Sequence, residues 1–152
     1  MNETSQAHAW GILTFAENYR LAGALILEHS TPGNIRLHSP TRFLFKHCIE
    51  LCFKAYLQKK GFTEKQFRKL GHNSVALADE AIAQGMLMDQ YDLTVILELL
   101  AEEDPIDDRY LRPGERAELK PEVLAEIAER LTKAAQDNIA AAEMMETITG
   151  DQ

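Results

Sequence analysis

Along most of this 152-residue chain, hydrophobic positions recur at alternating steps of three and four, the period of a helix with one buried face. From about Ser5 to His29 such a stripe is formed by Ile12, Phe15, Tyr19, Ala22 and Ile26, with Ala16 and Gly23 beside it. The stretch PTRFLFKHCIELCFKAYLQKKG, from Pro40 to Gly61, is apolar nearly all round. Leu44, Phe45, Cys48, Ile49, Leu51, Cys52, Ala55 and Tyr56 make one wide face, and Phe43, Phe53 and Leu57 lie on the other side. A helix with so little of its circumference left for water belongs in the middle of a bundle. Ser39 as N-cap, Pro40 at the first helical position and Gly61 as the stop mark its ends. The segment from Thr31 to Ser39 between these two helices, with its Pro, Gly and Asn, reads as a loop.

Further along, Thr63 and Gln66 have the spacing of a capping box and open a short helix that Gly71 ends. Val75, Leu77, Ala78, Ala81 and Ile82 predict the next helix, capped by Asn73 or Ser74 and closed by Gly85. Asp89 then caps a helix over about 90–103, with Leu93, Ile96, Leu97 and Leu100 as its buried stripe. Residues 105–120 mix prolines, a glycine and both charge signs, as a structured loop does, and within it Tyr110, beside Arg109, has a ring and hydroxyl suited to pinning the loop. Pro121 begins the last helix, in which Leu124, Ile127, Leu131, Ala134, Asn138, Ala141, Met145 and Ile148 follow a heptad seam, with Ala128, Ala135 and Ala142 lining the same side, that predicts packing along a partner helix. No stretch alternates with a period of two long enough to propose a strand. The pattern predicts an all-α fold: one domain over 1–152, an up-and-down bundle of four to five long helices plus a short connecting helix.

Composition narrows the function classes. A hydrophobic content of 45% excludes wholesale disorder. No window approaches eighteen uninterrupted apolar residues, and the N-terminal MNETSQAHAW has no basic region leading into an apolar run, so the expectation is a cytoplasmic protein with no membrane partner. The net charge of −8 disfavours a broad nucleic-acid footprint while leaving room for a small RNA site. Cys48 and Cys52, one turn apart, read as core thiols, and with no third cysteine a zinc site is not expected. The phosphate-binding, dinucleotide, zinc-protease and serine-hydrolase motifs are all missing, so no cofactor and no metal are expected.

Two constellations stand out. His47, Glu50 and Lys54 follow one another at steps of three and four and share one stripe of the central helix, where polar groups need partners. His72 follows Gly71 at a helix junction, a place where histidine commonly bonds a helix end, and it is also a candidate fourth member, with His47, Glu50 and Lys54, of a buried hydrogen-bonded network that orients the central helix. The second constellation is Arg42 with His47, four residues lying between them.

The strings HCIELCFKAYLQKKG and LGHNSVAL, with the Arg109-Tyr110 loop ahead of a long terminal helix, resemble the HEPN superfamily of small bacterial helical domain proteins. That resemblance implies a helical bundle, usually a homodimer, from prokaryotic defence, toxin-antitoxin or nucleotide-handling systems. Many members are metal-independent ribonucleases that use an Arg and a His separated by four to six residues. By that analogy Arg42 would hold phosphorane charge and His47 would act as general acid or base. Five helical steps place the two side chains about 140° apart, so they converge only in a distorted first turn or across two subunits. Phe43 stands where active members often have a polar residue, and no His follows His72.

The leading expectation is therefore a HEPN-like binding or assembly module without catalysis. In this reading a partner protein, an antitoxin or a nucleotide is engaged near His47, Glu50, Lys54, His72, Arg109 and Tyr110. The alternatives are a metal-independent endoribonuclease acting on RNA through Arg42 and His47, and a structural adaptor acting through the C-terminal helix.

Overall fold

The computed structural model describes residues 3–31, 35–100 and 120–150. Among them the chain forms six α-helices: α1 (Glu3–His29), α2 (His38–Lys59), α3 (Glu64–Leu70), α4 (Ser74–Ala83), α5 (Gln90–Leu99) and α6 (Pro121–Gly150). A single 3-10 turn, Ile35–Leu37, leads into α2. The all-α bundle expected from the hydrophobic pattern is the fold the chain adopts, and the described residues contain no strand. None of the described helices is long and apolar enough to cross a membrane. The Arg109-Tyr110 loop lies outside the described residues.

Local chemistry sets several boundaries as read from the sequence. Thr63 and Gln66 form the capping box of α3, Asn73 caps α4 through the amides of Val75 and Ala76, and Asp89 caps α5 through those of Tyr91 and Asp92. The start of α2 differs. The helix begins at His38, after the 3-10 turn, so Pro40 is its third residue and Ser39 lies inside it. Proline is tolerated there because the first-turn N–H groups have no intrahelical partner to lose.

Helix α2 is the axis of the bundle. It buries Phe45, Cys48, Ile49, Cys52, Phe53, Ala55, Tyr56 and Leu57, which pack with Leu77, Ala78 and Ala81 of α4, Ile96 of α5, and Leu124, Ile127, Leu131, Ala135 and Ile139 of α6. The chain runs up and down around it. Gly23 faces Phe45 and Tyr19 faces His47, so α1 is antiparallel to α2. Cys48 and Cys52 meet Thr132 while Lys59 meets Glu146, so α6 runs alongside α2 in the same sense. Three helices are long, with 27, 22 and 30 residues, and the remaining side is built by the ten-residue α4 and α5 in tandem. The turn between those two is clipped onto α6 by Asn138, whose Oδ1 accepts from the Leu87 amide at 2.8 Å and whose Nδ2 donates to the Leu87 carbonyl at 2.7 Å. Asn138 thus fixes register through a backbone it grips inside its own chain. Both cysteines are free and buried, as core thiols should be, and the adjacent Cys48 together with burial pushes the Cys52 thiol up.

Two apolar stripes lie elsewhere than the pattern placed them. On α1, Phe15 is 63% exposed, and the buried line is Ala9, Leu13, Ala16 and Gly23. Small residues at every seventh position let the α1 backbone approach α2 closely, and that geometry wins over side-chain size. A Cβ added to Gly23 would lie 2.8 Å from Cε1 and Cζ of Phe45, so the ring occupies the space a side chain would need. Replacing Gly23 with valine is expected to cost about 2 kcal/mol by overpacking. Gly11→Ala, where nothing lies within 4 Å, is expected to stabilise by up to about 1 kcal/mol. Urea midpoints of the two variants check both signs.

On α6, Leu124, Ile127 and Leu131 are buried as the seam requires, with Ala128 and Ala135 from the alanine line beside it, but further on the buried residue is Ile139 and not a seam position. Met144, Met145 and Ile148 are 68%, 63% and 62% exposed. A straight helix drifts about 20° per heptad from a 3.5-residue seam, so by the third heptad that line has turned away from the core.

Candidate functional site

The polar stripe of α2 converges on one carboxylate. Glu50 points into the bundle with only 3% of its side chain exposed, and three basic side chains surround it. Lys54, one turn further along α2, donates from Nζ to Glu50 Oε1 at 2.6 Å. His72, brought back by the α3 excursion, places Nδ1 2.8 Å from the same oxygen. His47, one turn earlier, has Nδ1 3.7 Å from Oε2, a distance for electrostatic attraction but not for a hydrogen bond.

Burial pushes the Glu50 carboxyl up, but His47, Lys54 and His72 together outweigh it and bring its pKa down to about 2. The group is therefore ionised at neutral pH and can only accept hydrogen bonds, which means that His72 carries its proton on Nδ1. The His47 ring is also held from its sides. Tyr19 meets it edge-on, with centroids 4.4 Å apart, and Phe43 stacks over it at 5.8 Å and 6°. Its position is thus set by packing as much as by charge.

The sequence pattern identified His47, Glu50 and Lys54 as one stripe, and the structure brings His72 to them. Of the two roles expected for His72, a bond to a helix end and membership of this network, its ring takes the second, reaching across to α2. Tyr19 was absent from the polar constellation because its role as a wall for His47 depends on how α1 docks.

Arg42 is a different case. It is buried, with 5% of its surface exposed, and it is the fifth residue of α2, inside the helix and not in a distorted first turn. Within one chain Arg42 and His47 therefore project from faces about 140° apart. The only convergence left to them is across two subunits.

Other ionic contacts were not visible in the sequence. Lys59, fully buried near the C-terminal end of α2, donates to Glu146 at 2.8 Å, where its charge also favours the carbonyl end of the helix. Asp92, 2% exposed in the first turn of α5, receives a bidentate Arg130 from α6, with contacts of 2.7 to 3.0 Å. Trp10 donates to Glu143 at 2.7 Å, tying α1 to α6. These pairs clamp helices together.

Beside the Glu50 cluster a cleft of about 320 Å³ opens between α1, α2 and α3, lined by His8, Ile12, Leu51, Lys54, Gln58, Glu64, Phe67 and Arg68. Lys54 belongs to both. Its ammonium closes the carboxylate cluster on one side and borders the cleft on the other. No group of three or more His, Cys, Asp or Glu side chains among the described residues is arranged to hold a metal ion. No family model matches the chain, and neither the curated proteins nor the solved structures include a significant match to it.

Proposed function

We propose that the protein is a HEPN-like binding and assembly module in which the Glu50 cluster is a structural hub and not a reaction centre. The observation that carries this reading is the closure of the hub. A buried, ionised carboxylate is satisfied by Lys54 and His72, and His47 is held between Tyr19 and Phe43 with its Nδ1 turned toward Glu50. A general acid or base needs a proton path to substrate and a fixed cation within reach of the same phosphate. Arg42 is buried and leaves α2 about 140° around the helix from His47. On this reading His72, 65% exposed, is the part of the hub that a partner protein would meet.

Assembly is supported by the last turns of α6. Between Asn138 and Gly150 the only charged residues are Glu143 and Glu146, and both are engaged by groups of the same chain, Trp10 and Lys59. The outer face, with Ala141, Met144, Met145 and Ile148, is exposed and carries no charge. Two copies of a protein of net charge −8 would meet there without opposing charges, which suits a homodimer.

Two measurements test the reading together. In EDTA, micromolar protein is expected to leave a generic RNA intact, and His47→Ala is expected to lower the thermal midpoint. Cleavage that is abolished by both His47→Ala and Arg42→Ala, with the midpoint unchanged, would instead establish a ribonuclease built across two subunits. Light scattering is expected to give twice the chain mass, reduced to one chain mass by Met145→Glu.

A further inference from the structure

We propose that the cleft between α1, α2 and α3 is a binding site for a small organic monoanion with a flat apolar body, an aromatic carboxylate in its simplest form. This goes beyond the hub described above, with which the cleft shares Lys54. The apolar lining is Ile12 of α1, Leu51 of α2 and Phe67 of α3. The polar lining is His8, Lys54, Gln58 and Arg68, which can donate, with Glu64 as the one acid. A volume of about 320 Å³ is at the small end of the range for ligand sites and suits a two-ring compound.

The charge arithmetic disfavours a multiply charged anion. Lys54 and Arg68 contribute one positive charge each, but Glu50 is 2.6 Å from the first and Glu64 3.2 Å from the second. These two pairs balance, so a phosphate dianion or a polyphosphate would bring more negative charge than the groups can answer. The Glu64–Arg68 pair is the one that can yield, since both side chains are more than 80% exposed and such a pair is easily exchanged. A carboxylate replacing Glu64 on Arg68 would take the bidentate geometry that guanidinium favours, and Phe67 would stack on the ring attached to it. Helix α3 has no buried residue, and Phe67 and Leu70 pack against the core only partly buried, so of the three walls this one is the least constrained by burial.

The test uses the full chain and 2-naphthoate as probe, followed by amide chemical shifts in a titration at pH 7. Saturable binding is expected with a dissociation constant on the order of 0.1 mM, as ligand efficiency allows for a compound of this size. Shifts should be confined to α1 near Ile12, α2 near Lys54, and α3. Arg68→Gln, at an exposed position that leaves the fold intact, is expected to weaken binding at least about fivefold, and the neutral 2-naphthamide should bind the unaltered chain more weakly by a similar factor. Phe67→Ala should weaken both compounds. Absence of saturation overturns the proposal. So does equal affinity for naphthoate and naphthamide, which would mark an unselective apolar groove. Binding of adenosine monophosphate at the same amides, tighter than that of naphthoate, would assign the cleft to a phosphate ligand and refute it equally.

Discussion

Replacing Glu50 with alanine is expected to destabilise the protein by about 3 kcal/mol at pH 7. The figure follows from a carboxyl held at about 2 against an ordinary value of 4.5, each pKa unit being worth about 1.4 kcal/mol. For a chain of this length that corresponds to a fall in thermal midpoint of roughly 6 to 12 °C. The substitution also leaves Lys54 and His72 without their common acceptor. Both have a route to water, being 20% and 65% exposed, so the loss stays near the value set by the carboxylate itself.

The pH dependence distinguishes this cause from a packing defect. A carboxyl whose folded pKa is depressed contributes its full stability above the unfolded value and loses it as pH falls from 4.5 through about 2. The gap in urea midpoint between the natural chain and Glu50→Gln should therefore be largest near neutrality and begin to close below about pH 4.5. A gap that stayed constant down to pH 3 would show that shape, and not charge, makes this position important. Lys54→Ala and His72→Ala, each removing one of three neighbours, should cost about 1 kcal/mol apiece.

Arg130→Ala is expected to cost about 3 kcal/mol for a different reason. Asp92 is 2% exposed, and Arg130 satisfies both its carboxylate oxygens. Removing the guanidinium leaves a carboxylate buried in the first turn of α5 with no comparable partner from α6. Arg130 itself is 46% exposed, so the cost is that of stranding the buried carboxylate, which exceeds the cost of replacing both members. The double variant Asp92→Leu with Arg130→Met should therefore recover most of the loss, although it lacks the ion pair altogether. Urea unfolding of the single and double variants decides the matter. If the double variant is as unstable as Arg130→Ala, then the pair contributes through its own attraction and not by avoiding a stranded charge. Surface substitutions of comparable size, such as Lys133→Ala, whose contact with Asp137 is 3.7 Å between two largely exposed side chains, should change stability by less than about 0.5 kcal/mol.

How far the site could be read in advance depends on what kind of interaction places each residue. His47, Glu50 and Lys54 are neighbours on one helix, so spacing alone put them on a common stripe. His72 is 22 residues from Glu50 in the chain, and only the path of α3 returns it to that carboxylate. Arg130 and Asp92 are 38 apart on different helices, and no local pattern relates them. The burial of Lys59 and Arg42 was equally hidden, because a basic residue beside apolar ones ordinarily keeps its charge in water.

From its residue pattern alone, this chain determines that it is helical, where most of its helices start and stop, and that the Pro40–Gly61 segment is the inner one. Those properties depend on caps, on glycines such as Gly61 and Gly71 at positive φ, and on a helix so apolar that it has nowhere else to go. Docking decided which faces of α1 and α6 are covered. Close approach rewards small residues, so Ala9, Ala16 and Gly23 are buried while Phe15 is left in water. A straight α6 carries its heptad line out of contact, leaving Met145 and Ile148 exposed. Periodicity measures how apolar residues are spaced along one helix, whereas burial depends on the distance and angle at which a second helix arrives.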